Sequence, residues 1–156
     1  MLHSISGDLT TLSGNFIIVQ QVNCQNVMGA GLAKSLMARW PQIASDYHDY
    51  CTGKSDLELL GHVQTSILGE HQFVCNVFGQ RFYGRHGHFT DEDKLLSAVK
   101  VIIAHAASAN LPVYIPANLG SGLAGGDKKL IVAGIKVFTE QYNANVYLVD
   151  YTKRGL

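Results

Sequence analysis

Pro112-Val113-Tyr114-Ile115-Pro116-Ala117-Asn118-Leu119-Gly120-Ser121-Gly122-Leu123-Ala124-Gly125-Gly126-Asp127 is the stretch that decides how this chain reads. A strand-like run ends, a glycine-rich turn follows, and helical spacing takes over through Gln141. The same order occurs earlier. Phe16-Ile17-Ile18-Val19 precedes Met28-Gly29-Ala30-Gly31-Leu32-Ala33, which opens a second helical run. Glycine lets backbone come close to a ligand and adopts turns closed to other residues. A helix N-terminus aims free N–H groups and positive partial charge at whatever sits there. Two such turns in one chain point to a ligand with two phosphates, gripped from both sides.

Gly120-Ser121-Gly122-Leu123-Ala124-Gly125 satisfies G-x-G-x-x-G literally. Only one helix and one strand follow it, too little for a Rossmann half. Neither turn continues into Gly-Lys-Ser/Thr, which excludes a Walker loop. The alternative, two tight turns without a ligand, has to explain glycines at helix starts where Ser, Thr, Asp or Asn cap better.

The chain has 156 residues, 47% of them hydrophobic, which fits one domain with one packed core over residues 1–156. Twelve basic and twelve acidic residues balance, so no broad nucleic-acid surface is expected, although Arg81 and Arg85 leave a local basic edge open. Cys24, Cys51 and Cys75 are too few and too widely spaced for a zinc pattern or a disulfide framework, and read as buried small hydrophobes. No signal peptide and no membrane-length apolar run is evident. The expectation is a soluble, cytoplasmic protein without a membrane partner.

Strands are expected over Leu2 to Leu9, Asn15 to Val22, Gly61 to Leu68, Gln72 to Phe78, Leu111 to Pro116 and Val146 to Asp150. The third and fourth of these form a hairpin around Gly69-Glu70-His71. Helices are expected over Ala30 to Trp40, from Pro41 toward Tyr50, from Thr90 (its N-cap, with Asp93 at the third helical position), and over Asp127 to Gln141. The Thr90 helix carries Leu95, Leu96, Val99, Ile102 and Ile103 inward. The last helix carries Leu130, Ala133, Ile135, Val137 and Phe138. Gly79 to Phe89 has no periodicity and reads as a loop with something to hold. Strands alternating with helices indicate an α/β layered fold.

Gly7-Asp8-Leu9-Thr10, Val22-Asn23-Cys24-Gln25, the Met28–Ala33 turn, Trp40-Pro41 and the Ile115–Asp127 stretch together resemble a macrodomain, in order and across essentially the whole chain. The resemblance is nearest to the branch of ADP-ribose-1''-phosphate phosphatases, terminal ADP-ribose glycohydrolases and DNA ADP-ribosyl glycohydrolase antitoxins. It implies a three-layer sandwich, a mixed sheet between helices, with ADP-ribose or a derivative in a cleft at the strand ends. An ADP-ribosylated macromolecule is the further partner it allows. It assigns Gly29, Ala30, Gly31 and Leu32 to one side of the diphosphate, and Gly120, Ser121, Gly122, Leu123, Ala124 and Gly125 to the other. Backbone donors there need no metal and no resident cofactor. Asp8, with Leu9 beside it, matches the family aspartate that accepts from the adenine amino group; an ordinary cap aspartate is the competing role. Asn23 falls where the family faces the distal ribose, as ligand or catalytic amide, or else caps a loop.

Gln80 stands where the lysine-dependent glycohydrolases carry their nucleophile, and an amide cannot form a Schiff base. Ala124 stands roughly where they carry an aspartate. Gln20-Gln21 occupies the place of the histidine in fungal phosphatase-like members. Asp127 is then the candidate general base for water attack on a 1''-phosphate or an ester-linked ADP-ribose, with helix N-cap as its competing role. The alternative is a binding module for ADP-ribose or an NAD-derived nucleotide. His86 and His88 form an H-x-H pair that reads as exposed loop histidines, as a phosphate contact or acid, or as a metal pair for which no third ligand stands at a definite spacing. Phe82 and Tyr83 stack on ligand or anchor the loop. Arg81 and Arg85 pair with phosphate or sit in solvent. Lys34 is most simply a solvated helix lysine.

Overall fold

The nearly unbroken apolar run near the N-terminus needs burial on both faces, and the structure provides it. This run is β2 (Phe16–Asn23), with Phe16 through Gln20 all buried. The computed structural model describes residues 1–156. Its other strands are β1 (Leu2–Gly7), β3 (Val63–Gly69), β4 (Gln72–Gln80), β5 (Val113–Pro116) and β6 (Val146–Tyr151). They form one sheet in the order β1-β6-β5-β2-β4-β3. Neighbours are parallel except the antiparallel β3–β4 hairpin, so the sheet is mixed. The helices are α1 (Gly31–Arg39), α2 (Gln42–Cys51), the single turn α3 (Asp56–Leu59), α4 (Glu92–Ala109) and α5 (Lys128–Gln141). No helix is long and apolar enough to cross a membrane.

Alternation along β2 sorts the layers. Ile17 and Val19 pack with Leu95, Val99 and Ile103 of α4 and with Ile131 and Ile135 of α5. Phe16 and Ile18 pack with Leu36 of α1 and Ile43 of α2 on the opposite face. The chain therefore leaves β2 toward one face and leaves the adjacent β5 toward the other. That divergence opens a crevice at the carboxyl ends of parallel strands, the place where open α/β sheets hold ligands.

Several boundaries differ from the sequence expectation for local reasons. β1 stops at Gly7 because Asp8 turns the chain into a 3-10 turn at Leu9–Thr11. β5 starts at Val113, because Asn110 adopts a left-handed conformation (φ 56°) and the Leu111 N–H closes back on the Ala106 carbonyl. On α5 the inward row is Ile131, Ile135 and Thr139, while Leu130 and Val137 are exposed. Thr90 is not the cap of α4. It is buried and bridges to Gln80, so the cap falls on Asp91, whose carboxylate accepts from the Lys94 N–H at 3.0 Å. Cys24, Cys51 and Cys75 are all buried.

One feature inside the sheet has no sequence signature. Gln20 donates to the Asn76 carbonyl oxygen at 2.7 Å, Asn76 donates to Gln64 at 2.7 Å, and Gln64 donates to Ser66 at 3.2 Å. All four residues are buried. Buried amides are tolerated only when paired, and this row pins the register of β2, β4 and β3 against a slip.

Asn76→Ala removes the middle of that row and strands a donor on Gln20 and an acceptor on Gln64. Each orphaned group costs about 1–3 kcal/mol. Urea denaturation is expected to show a loss of about 2–5 kcal/mol, with much of it recovered when Gln20 and Gln64 are also replaced by leucine.

Candidate functional site: a crevice between two glycine turns

Two hollows line the carboxyl edge of the sheet. One, of 480 Å³, is bordered by Asp8 and Leu9 after β1, by Pro116 and Asn118 at the end of β5, and by Asp150 and Tyr151 of β6. The other, of 410 Å³, is bordered by Gln21 and Asn23 of β2, by Gln80 of β4, and by Met28 and Tyr83. The first glycine turn separates and joins them. Gly29 and Ala30 face the second hollow, and Gly31 and Leu32 face the first. The loop after β5 does the same from the other side, with Asn118 in one hollow and Leu123 and Ala124 in the other.

Both turns carry unused donors. The caps of α3, α4 and α5 are side-chain oxygens of Ser55, Asp91 and Asp127, but Ala30 begins α1 with no side-chain cap. The first N–H groups of α1 therefore lack a partner, as any uncapped helix start does. In the second loop the N–H groups of Gly122, Leu123 and Ala124 make no hydrogen bond within the protein. The loop is closed around them: Ser121 donates to Asn118, Gly125 to Gly122, and Gly126 to Gly120. Gly120 (φ 68°) and Gly125 (φ 70°) supply its left-handed corners. A Cβ on Gly125 would lie 2.1 Å from the Gly87 carbonyl oxygen, so the aromatic loop after β4 packs backbone to backbone on this turn. Gly122 has an ordinary φ and only the Asn118 amide nitrogen at 3.3 Å from such a Cβ, so it faces comparatively open space.

Asp8 takes its competing role as a cap and also borders the first hollow. Its Oδ1 accepts from the Thr10 N–H at 2.9 Å and the Thr10 hydroxyl at 2.7 Å, and Oδ2 keeps its acceptor capacity at the wall of the first hollow. Asn23 borders the second hollow while holding its own loop. Its Nδ2 donates to the Val27 carbonyl at 2.8 Å, and its Oδ1 accepts from the Gln25 N–H and the Tyr47 hydroxyl. One Nδ2 hydrogen remains for a ligand. Gln80 also borders the second hollow, accepting from Gln21 at 2.9 Å and donating to the Phe82 carbonyl at 2.8 Å.

Asp127 is the residue the structure moves out of the site. Its Oδ1 caps α5 at the Leu130 N–H, and it borders a separate recess with His88 and Glu92 rather than either hollow. The helix-cap role takes it, because α5 has no other N-terminal acceptor. Arg81 is likewise committed. Its Nε donates to Asp56 at 2.9 Å and its guanidinium lies 4.7 Å over the Phe82 ring. Arg85, His86 and Lys34 are exposed. No cluster of three His, Cys, Asp or Glu side chains is placed to hold a metal.

The sequence reading missed Gln21, Asn118, Asp150 and Tyr151. The last two were within reach, because a strand ending at Asp150 in a parallel sheet delivers that residue to the ligand edge. Gln21 carried only a positional signal, as part of the Gln20-Gln21 pair that stands where fungal phosphatase-like members have a histidine.

His88 Nε2 donates to Glu92 Oε1 at 2.9 Å, and Glu92 Oε2 accepts from the Asp127 N–H at 3.1 Å. The hydrogen bond to Glu92 raises the His88 pKa above its ordinary 6.5. Burial pushes the Glu92 carboxyl up, but hydrogen bonds from His88 and from the Asp127 backbone outweigh it and hold the pKa below the usual value.

No protein-family model matches the sequence, and no curated relative is found for it. Solved structures are similar in fold. A protein of unknown function from Bacteroides thetaiotaomicron is 23% identical, with a TM-score of 0.86 over 97% of this chain and 98% of its own. A macrodomain protein from Streptomyces coelicolor is 22% identical, with a TM-score of 0.79 over 97% of this chain and all of its own (100%). DarTG from Thermosipho africanus, solved in complex with ADP-ribose, is 18% identical, with a TM-score of 0.67 over 87% of this chain and 38% of its own. The chain has the macrodomain fold.

The His88–Glu92 pair gives a pH prediction with a definite sign. The histidine's folded pKa is raised, so its contribution to stability is full below about 6.5 and fades as pH rises through the raised value; it fades again in acid as Glu92 is protonated. An NMR titration is expected to place the His88 midpoint above the ordinary histidine value, and Glu92→Gln to bring it down. Asp127→Ala is expected to lower stability by about 1 kcal/mol through loss of the cap.

Proposed function

From a macrodomain fold whose two glycine turns face each other across one crevice, we propose that this protein captures ADP-ribose. The carrying observation is the pair of hollows joined at backbone donors that nothing in the protein satisfies. A diphosphate across that junction accepts from the start of α1 and from the Gly122, Leu123 and Ala124 N–H groups, with the helix dipole in favour. Adenine then lies in the hollow of Asp8, whose Oδ2 accepts from the exocyclic amine. The distal ribose lies against Asn23 and Gln80, two amides that suit hydroxyl groups. The ADP-ribose complex of the similarly folded Thermosipho protein supports this reading.

Hydrolysis of a 1''-phosphate or of an ester-linked ADP-ribose loses its candidate base with Asp127. The distal hollow is bordered by amides, apolar groups and the Tyr83 phenol, and by no carboxylate, imidazole or amine. Those groups recognise a sugar but do not move a proton at neutral pH. Capture is therefore the function the geometry supports, with cytoplasmic ADP-ribose or an ADP-ribosylated macromolecule as its source.

Calorimetry is expected to show one ADP-ribose site that is unaffected by chelator. Asp8→Ala is expected to weaken ADP-ribose by about 1.5–3 kcal/mol, the scale of a hydrogen bond to a charged group, while ribose 5-phosphate is unchanged. Gly122→Val, which points methyl groups into open space at the diphosphate, is expected to abolish binding in a folded protein. Phosphate release from ADP-ribose 1''-phosphate that disappears in Asp127→Ala would contradict capture and restore the hydrolase.

A further inference from the structure

Gln21 lies at the end of β2, and its side-chain nitrogen donates to two places at once: Gln80 Oε1 at 2.9 Å and Thr90 Oγ1 at 2.9 Å. The Thr90 hydroxyl passes the connection on, donating to the Gly120 carbonyl at 2.6 Å. That carbonyl also accepts from the Gly126 N–H at 2.8 Å, the bond that closes the second glycine turn on itself. A single amide thus ties the floor of the distal hollow, the entry of α4 and the base of the turn.

The other end of the amide shows that its placement is costly. Gln21 Oε1 is buried without any hydrogen-bond partner. It sits in a narrow slot beside two glycines. A Cβ on Gly79 would lie 2.3 Å from it, and a Cβ on Gly120 3.1 Å from it. Gly79 has an ordinary φ, so its backbone does not demand glycine; the amide beside it does. An apolar side chain of similar length would fill the slot without leaving an acceptor unpaired, so packing alone does not account for glutamine here.

We infer that Gln21 is a positioning residue of the binding cleft: through Gln80 and through Thr90 and Gly120 it sets the spacing between the distal hollow and the second glycine turn. The inference rests on reading the crevice as an ADP-ribose site. It makes no contact with the adenine hollow, so its effect is confined to the diphosphate and distal ribose.

Four variants test it: Gln21→Met, which keeps length and loses both bonds; Thr90→Val, which keeps shape and loses the relay; Gly79→Ala, which displaces the amide without altering its chemistry; and Thr90→Ser, which restores the hydroxyl. Binding of ADP-ribose and of AMP is measured for each, with amide NMR shifts of Gly120 to Gly125 in the free proteins. The first three are expected to weaken ADP-ribose by about tenfold, the scale of one or two hydrogen bonds, to leave AMP within about twofold, and to shift the turn's amides. The Gln21→Met/Thr90→Val double variant is expected to be no weaker than the worse single, since both break one relay. Thr90→Ser is expected to bind like the wild type. Unshifted turn amides, equal losses for AMP and ADP-ribose, or unchanged ADP-ribose affinity would each overturn the inference while leaving the cleft intact. A wild type that binds no ADP-ribose would overturn the functional reading first, and this inference with it.

Discussion

A set of backbone N–H groups without partners is the constraint around which this molecule is arranged. Folding normally satisfies such donors, and four elements here are capped by Asp8, Ser55, Asp91 and Asp127. The start of α1 and the Gly122–Ala124 segment are left open, and they face one another because β2 and β5 are neighbours whose chains depart to opposite faces of the sheet. An anion fits such a place without any lysine or arginine. Arg81, just after β4, is spent on Asp56 and on the Phe82 ring. Recognition by geometry and dipole rather than by net charge agrees with a chain whose formal charge is zero.

A glycine turn with free donors is floppy unless it is held from outside, and this one is held from three directions. Gln21 and Thr90 fix its base at Gly120. The aromatic loop lies against it, with Phe89 and Thr90 N–H groups both donating to the Ala124 carbonyl. Glu92 fixes its far end by accepting from Asp127, and recruits His88 on its other oxygen. Phe89 gives that loop its own anchor: its ring lies under Gly84 and Gly87, where Cβ atoms would come within 2.7 and 3.0 Å. Asp127 thereby ties the end of the turn to α4 through Glu92 and to the start of α5 through its cap.

The layout was legible in the sequence wherever short-range physics decides it. The apolar run of β2, the hairpin at Gly69-Glu70-His71 and the two glycine turns all follow from periodicity and turn chemistry. The resemblance singled out Asp8, Asn23 and the turns, and the structure brings Asp8 to one hollow and Asn23 to the other, with the first turn between them. Legibility ended where one polar side chain had two plausible partners. Thr90 and Asp91 are both good caps, and only the buried reach of Thr90 to Gly120 decides between them. Asp127 could be base or cap, and its bond to the Leu130 N–H and its place in a recess apart from both hollows decide for the cap. The Gln20–Asn76–Gln64 row and the Gln21 relay join residues far apart in sequence, so no local pattern announces them.

The most direct measurement is the amide NMR spectrum during titration with ADP-ribose. The account predicts that the largest shifts fall on the N–H groups of Ala30 to Leu32 and of Gly122 to Ala124, moving together with one affinity, with smaller changes at Asp8 and Asn23. Shifts confined to one turn, or concentrated at the His88–Asp127 recess, would contradict the claim that the unpaired donors of both turns hold one diphosphate.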